Sequence, residues 1–420
     1  MASNPFQQLN VYTNISCKNK KVKDCYRLLY HKELWIKAYT NLFPNANIDE
    51  KTIDVIIESL RHRTYRFSPI RQNAISSQLN VSDRIVLEVL SMILNTIYEP
   101  VFSKHSHCCI KNRSYQTALL DIKNSWHGVT WCIQGVIERN WSRNQYHFLL
   151  KLLGRKIDDR RFLLLIHNAL NSGVMNHFQF RNTFNYIART SNFSLLLLNI
   201  YLHEFDSFIE NHLKRIHSNS PIKYVRFANH FVIGIASSKE MSRKTHVLIQ
   251  DFLNGKLQFR LREDQTTLFH IEKDIPFLGY QFTLNKKKNN SIQLKIPTRS
   301  LQMFAANHGY GNLQCLTVNS RRKLINLTEI EILLLYNKEL ENFAKFYKLA
   351  DNIHQLNKLF YIAERSFLKT VATKKKSTSK RIAVRMSQYQ QGRLCYVQQT
   401  KHGEQLVHTF LKLTDLKEQW

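Results

Sequence analysis

The stretch KYVRFANHFVIG, residues 223–234, constrains the fold of this chain more than any other. Tyr224, Val225, Phe227 and Ala228 form one largely apolar run, residues 231–235 form a second, and only Asn229 and His230 separate them. Two β-favouring runs joined by two polar residues predict a tight antiparallel hairpin. On pattern alone that hairpin suits any mixed domain, because short apolar runs are ambiguous.

The rest of the chain narrows the choice. Its 420 residues suggest two or three domains at about 150 residues each. It carries 61 Lys and Arg against 31 Asp and Glu, a net charge of +30, which points to a polyanionic partner. A membrane surface is set aside, because apolar runs such as 162–166 and 332–336 fall far short of the roughly 18 residues a span needs. Seven cysteines without a spaced framework predict reduced thiols, not a disulfide scaffold. The first residues lack the apolar core of a signal peptide, and residues 1–24 read as a loose polar arm.

Helical patterns follow over 24–42, over 49–62 with Ile53, Ile56, Ile57 and Leu60 on one face, and from Ser82 to a stop at Glu99 and Pro100. Residues 61–71, RHRTYRFSPIR, interleave bases with Tyr65 and Phe67, a pattern suited either to phosphate contact with stacking or to a solvated loop. Ser238 starts a helix with a stop near Gly255. From 280 to 401 there are 22 Lys and Arg against 6 Asp and Glu, so this stretch holds a surplus of 16 out of the chain's +30. Its helices are well marked: Thr328 with Glu331 makes a capping box, and Leu356, Leu359, Phe360, Ala363 and Phe367 make an apolar stripe. The basic stretch is therefore a folded helical domain.

The 223–234 segment resembles the palm hairpin of group II intron reverse transcriptases, whose turn carries Tyr-Ala-Asp-Asp; here Phe227, Ala228, Asn229 and His230 stand in that place. ELWIKAY, TIDVIIESL, YRFSP, DRIVLEVLSMILNTIYEPVF and residues 114–120 resemble the fingers and early palm of the same family. Residues 131–159 resemble its palm strand and following helix, with Val136 at the place of the first catalytic Asp. The family's Pro-Gln-Gly reads Ala188, Arg189, Thr190, its Arg-Pro-Leu-Gly-Ile-Pro is replaced by residues 74–79, and its Gly-Phe-Arg-Pro by residues 108–111. Residues 276–282 resemble the last palm strand, and 286–290, KKKNN, end the domain. The basic stretch resembles the thumb-like maturase domain, through residues 321–324, 335–340, 346–350 and above all 366–376, SFLKTVATKKK.

Chemistry separates the two halves of that resemblance. Polymerisation needs two magnesium ions held by carboxylates. Val136 offers no oxygen, Asn229 a neutral one, and His230 prefers softer metals. His105, His107, Cys108 and Cys109 are competent zinc ligands by type, but no second pair follows at ligand spacing, so no metal is expected there. No P-loop, Gly-x-Ser-x-Gly or His-Glu-x-x-His motif occurs, and Gly309-Tyr-Gly311 reads as a turn.

The expectation is an α+β chain: a loose arm over 1–24, a fingers-like region over 25–120, a degenerate palm over 121–285, a thumb-like maturase domain over 286–386 and an extension over 387–420. The resemblance implies a non-enzymatic, cofactor-free factor that binds group II intron RNA and assists its splicing, with further splicing factors as candidate partners. The implied contacts are Arg321, Arg322, Lys323, Tyr347, Ser366, Lys369, Thr370, Lys374, Lys375, Lys376, Lys380 and Arg381. The plastid is the expected compartment and the mitochondrion the alternative, consistent with heavy use of Lys, Asn, Ile, Phe and Tyr. The competing reading is a general structural RNA-binding protein, for example one associated with ribosomes.

Overall fold

The structure is a computed structural model that describes residues 4–69, 79–138, 141–177, 192–218, 221–286, 290–388, 392–399, 405–418 and 420. Residues 74–78, 188–190 and Arg71, named above, lie outside the described residues. The chain is α+β and divides into two units, Met1–Ile271 and Glu272–Trp420.

The first unit begins with α1 (Pro5–Cys17), a two-residue strand β1 (Val22–Lys23), α2 (Lys32–Leu42), α3 (Glu50–Arg61), α4 (Val81–Tyr98) and α5 (Tyr115–Ser125). Local chemistry sets most of these starts. Side-chain oxygens of Asn4, Asp49, Asn80 and Ser114 accept first-turn backbone N–H groups that have no partner inside the helix. The stripe on α3 is buried as its period predicts, at Ile53, Ile56, Ile57 and Leu60. The 24–42 pattern divides into a 3-10 turn, Tyr26–Tyr30, and α2. Where residues 1–24 read as a loose arm, α1 instead packs on α4. Leu9, Tyr12 and Ser16 share one helical face, and the Ser16 hydroxyl donates to the Ile97 carbonyl, so a mostly polar segment still carries a buried seam.

A four-stranded antiparallel sheet follows, built from β2 (Trp131–Val136), β4 (Ile222–Phe227), β5 (His230–Ile235) and β6 (Thr267–His270) in the order β4-β5-β2-β6. Around it in sequence lie α6 (Arg143–Lys156), β3 (Ile157–Asp158, parallel to β1), α7 (Arg160–Asn171), α8 (Val174–His177) and α9 (Asn192–Phe208). A π turn over Ile209–Leu213, then α10 (Lys214–Ile216) and α11 (Lys239–Gly255), complete the set of helices.

The expected hairpin is present as β4 and β5, one residue out of register with the sequence reading. Phe227 pairs with His230, so Ala228 and Asn229 make the turn, with Ala228 at φ 52. The cause is a tether: Asn229 Nδ2 donates to the Ile137 carbonyl (2.7 Å), and its own carbonyl accepts from the Ile137 N–H (2.9 Å). That holds Asn229 in the turn and leaves His230 to open β5.

Beneath the hairpin Arg226 is fully buried and paired with fully buried Asp206 of α9. Arg226 Nε donates to Asp206 Oδ1 (2.7 Å), Tyr224 Oη donates to the same oxygen (2.6 Å), and Arg226 Nη1 donates to the Ala228 carbonyl (3.0 Å). One guanidinium thus ties α9, β4 and the turn together.

In the second unit β7 (Ile275–Phe277), β8 (Tyr280–Asn285) and β9 (Ser291–Lys295) form a three-stranded antiparallel sheet. Residues 276–282, which read as one strand, fold as a hairpin with Leu278 and Gly279 at φ 48 and 83 in its turn. Next come α12 (Thr298–Asn307), the ribbon β10 (Gly311–Asn312) with β11 (Thr317–Val318), α13 (Glu329–Phe346), α14 (Leu356–Lys374) and α15 (Ser379–Met386). The ribbon β12 (Cys395–Gln399) with β13 (Gln405–Thr409) and α16 (Leu413–Lys417) end the unit. The capping box at Thr328 and Glu331 is formed, and the α14 stripe is buried at Leu356, Leu359, Phe360, Ala363 and Phe367.

Removing one member of a buried ion pair strands its partner at about 3–5 kcal/mol, whereas replacing both with apolar groups is often near neutral. Asp206→Ala is therefore expected to lower stability by about that amount in urea unfolding, and Asp206→Ala with Arg226→Met to recover much of it. Equal losses in the single and double variants would show that the pair does not hold the hairpin.

Candidate nucleic-acid interface

The sheet brings together the three positions that the resemblance assigns to catalytic metal. Val136 is the register partner of His230, and Asn229 is tied to Ile137, the residue after β2. The side chains present do not fit magnesium. Val136 is buried and apolar, and Asn229, also buried, turns its amide N–H to a carbonyl. Among the described residues no group of three or more His, Cys, Asp and Glu is arranged to hold a metal ion.

The two histidines of the His and Cys cluster face a carboxylate. His105 Nδ1 and His107 Nε2 lie 3.8 and 3.6 Å from Asp121 Oδ2. Burial pushes the Asp121 carboxyl up, but His105, His107 and Ser125 outweigh it and hold it well below the usual range.

In the second unit residues 319–325, between β11 and α13, lie outside any ladder, and their backbone polar groups need other partners. One face of α14 supplies the partners. Ser366 Oγ donates to the Asn319 carbonyl (2.7 Å), Lys369 Nζ to that of Val318 (2.8 Å) and Lys374 Nζ to that of Ile325 (2.7 Å). Thr370 Oγ1 accepts from the Arg321 N–H (2.9 Å). Positions 366, 370 and 374 are four residues apart, so a single helical face clamps the segment.

A second network anchors the same segment to α13. Arg321 forms a two-pronged pair with Glu339, Nη1 to Oε2 at 2.8 Å and Nη2 to Oε1 at 2.9 Å. Its guanidinium lies 4.8 Å from the Tyr336 ring centroid and 5.6 Å from that of Tyr310, and those two rings stack at 5.2 Å. Tyr310 Oη donates to Glu339 (2.7 Å); burial and then the Glu339 charge push that phenol up. Tyr336 Oη shares hydrogen bonds with Ser366 and Thr370.

The twelve expected contact residues therefore divide. Tyr347, Ser366 and Thr370 are buried, with Tyr347 Oη donating to the Gly279 carbonyl (3.0 Å), and Arg321 is consumed by Glu339. Their part is to shape the surface. Arg322, Lys323, Lys369, Lys375, Lys376, Lys380 and Arg381 are exposed, and Lys374 is half-buried.

The exposed cations meet at a corner. α14 ends with Lys376 at φ 49 and the Ser377 N–H reaching back to the Ala372 carbonyl (2.9 Å), a left-handed helix stop. Thr378 then caps α15 through the Arg381 N–H. Lys375, Lys376, Lys380 and Arg381 thus flank one turn, and the Lys374 bond to Ile325 brings the 3-10 turn Arg322–Leu324 beside them. Glu329 pairs with Lys375 (2.6 Å) and Arg385 (2.9 Å). Burial raises its carboxyl, but the bond from Lys375 and the charges of Lys375 and Arg385 prevail and hold it low. The network around Glu339 has no sequence signal, because Tyr310 and Arg321 lie 29 and 18 residues from it; the four-residue spacing of Ser366, Thr370 and Lys374 is the signal that the sequence does carry.

Comparison with known proteins defines the class first. Residues 289–417 match the family model described as type II intron maturase, so the second unit carries a maturase-type domain and the chain is group II intron maturase-like. Among relatives, it is 28% identical over 449 residues to the group II intron-encoded protein LtrA of Lactococcus lactis subsp. cremoris, spanning 84% of this chain and 75% of that protein. It is 24% identical over 463 residues to Maturase K of Chara globularis, spanning 87% of this chain and 88% of that protein. An uncharacterized 91 kDa protein in the cob intron of Schizosaccharomyces pombe is 30% identical over 260 residues, 56% of this chain and 32% of that protein.

Thr370→Val keeps the shape and removes the hydroxyl that serves Arg321 and Tyr336. A loss of about 1–3 kcal/mol is expected in urea unfolding, from groups left unsatisfied. Hydrogen exchange should speed at the Arg321 amide; unchanged exchange there would remove Thr370 from the clamp.

Proposed function

We propose that this chain is a maturase-like splicing factor that binds group II intron RNA and favours its catalytic fold, with reverse transcription lost. The observation that carries the reading is the coincidence of the maturase match over 289–417 with the unit whose exposed cations gather at the α14–α15 corner. In this reading the first unit is a fingers and palm scaffold, over residues 25–120 and 121–285, and residues 286–386 act as the thumb-like RNA-binding part. Val136, Asn229 and His230 at the palm hairpin support the loss of polymerisation, since none is a carboxylate.

A binder needs no reacting group to accelerate an RNA-catalysed reaction. Binding the competent RNA conformation more tightly than misfolded ones shifts the population toward it by the difference in affinity. Arg322, Lys323, Lys375, Lys376, Lys380 and Arg381 are the proposed phosphate contacts, each adding a counterion-release contribution to affinity. Arg321, Tyr347, Ser366 and Thr370 position that surface, and Lys369 and Lys374 do both. The natural setting in this reading is an organelle, the plastid or the mitochondrion, and other splicing factors are candidate partners.

Crosslinking in the native compartment followed by sequencing of attached RNA is expected to enrich unspliced group II introns, and a variant with Lys376, Lys380 and Arg381 changed to Ala to reduce that enrichment. In binding assays the same variant should lower the slope of log affinity against log salt by about 0.7 per lost contact. Ribosomal or scattered RNA without intron enrichment would favour a general RNA-binding protein instead.

A further inference from the structure

The second unit holds a groove of about 370 Å³ between the β10–β11 loop and α14, lined by Leu313, Gln314, Leu316, Asn357, Lys358 and Tyr361. That volume lies in the range of small-ligand sites. Its walls are unusual for a solvated surface, since Leu316 is 55% exposed and Tyr361 50% exposed on the two sides. Exposed apolar side chains that meet across a groove mark a binding site more often than isolated ones do.

The loop is built to stay in place. Gly311 is held at φ 136, and a Cβ there would collide with the Thr317 carbonyl, so only glycine closes the ribbon. Asn312 Oδ1 accepts from the Gln314 N–H (2.8 Å) and the Cys315 N–H (3.4 Å). Leu316 sits at φ 52, a left-handed conformation that costs a branched side chain energy and that the fold nonetheless maintains.

On the helix side, Lys358, Tyr361, Arg365 and Lys369 are all exposed and spaced by three, four and four, so they share the face of α14 opposite its apolar stripe. The Arg365 guanidinium lies 5.3 Å from the Tyr361 ring centroid. Lys369 reaches the ribbon itself, through its bond to the Val318 carbonyl.

We infer that this groove receives an unpaired nucleotide of bound RNA, with its base stacked on Tyr361; the inference rests on the RNA-binding reading above and assigns a site within it. A π-face, two leucines and the amides of Gln314 and Asn357 match a planar base with polar edges. Lys358, Arg365 and Lys369 match the phosphates on either side. Aromatic stacking flanked by bases is the chemistry of single-stranded recognition, and a duplex, whose bases are already stacked, gains nothing from the ring.

The test uses the full chain and two labelled RNAs of about 12 nucleotides, one mixed-sequence single strand and one perfect duplex, within the span such sites cover. Tyr361→Ala is expected to weaken single-strand binding by roughly 5- to 100-fold, the range for one lost stack, without changing the salt slope. Tyr361→Phe, which keeps the ring, is expected to bind as the parent chain does, and duplex affinity is expected to stay unchanged in both variants. Because Tyr361 is half exposed, its melting temperature should also stay unchanged, so lost binding would not reflect unfolding. Unchanged single-strand affinity in Tyr361→Ala, or an equal loss on the duplex, would overturn the stacking site while leaving RNA binding intact. No binding of either RNA by the parent chain would overturn both, and a stacking result without intron enrichment in cells would sink the intron assignment alone.

Discussion

Residues 319–325 run between β11 and α13 outside any ladder, and their carbonyls and N–H groups need partners from side chains, from their own 3-10 turn or from solvent. α14 supplies partners from four side chains on one face, to the Val318, Asn319 and Ile325 carbonyls and the Arg321 N–H, and the Arg321 side chain anchors the segment to α13 through Glu339. Much of the exposed basic surface of the second unit follows from this clamp. It fixes the 3-10 turn that carries Arg322 and Lys323 and brings it beside the α14–α15 corner. It also docks the β10–β11 ribbon against α14 and so forms one wall of the groove. Among the cations outside the clamp, Arg322, Lys323, Lys376, Lys380 and Arg381 are exposed.

The first unit shows a related economy of polar groups. Its sheet brings Val136 of β2 opposite His230 of β5, two of the positions that the resemblance assigns to catalytic metal. The place where carboxylates would need solvent and metal is instead closed by Asn229, which ties the turn to the end of β2, and by apolar Val136. Arg226 and Asp206 lie nearby as a charge pair wholly inside the protein, satisfied by each other, Tyr224 and the turn carbonyl. A buried ion pair of this kind adds little net stability, because the cost of desolvating both charges offsets their attraction. The arrangement fits a scaffold that must hold a shape.

Where the sequence reading and the structure diverge, the reasons are local and physical. The hairpin turn moved by one residue because Asn229 has a partner at Ile137 that no short-range pattern reveals. Residues 276–282 look like one strand, but Leu278 and Gly279 accept left-handed backbone angles and fold the run back on itself. Residues 1–24 look loose because their apolar content is low, yet Leu9 and Tyr12 suffice once α4 offers a seam. Residues 366–376 carry the most specific part of the maturase resemblance, and within them Ser366 and Thr370 are buried, four residues apart on one face of α14.

The sequence by itself determined the α+β class, the main amphipathic helices, the capping box at Thr328, the strongly basic second half and the absence of carboxylates at the β4–β5 turn. These are properties of composition and of periods within about one helical turn or one hairpin, and such information is local. Only the tertiary structure decided which lysines and arginines are spent inside and which remain outside. Arg321 and Arg322 are neighbours in the chain, yet one is locked to Glu339 and two tyrosines while the other faces solvent. That choice depends on which partners the folded chain delivers to each side chain, across separations of 18 residues for Arg321 and Glu339 and 49 for Arg321 and Thr370. A linear pattern does not encode those meetings, because they exist only after the helices have packed.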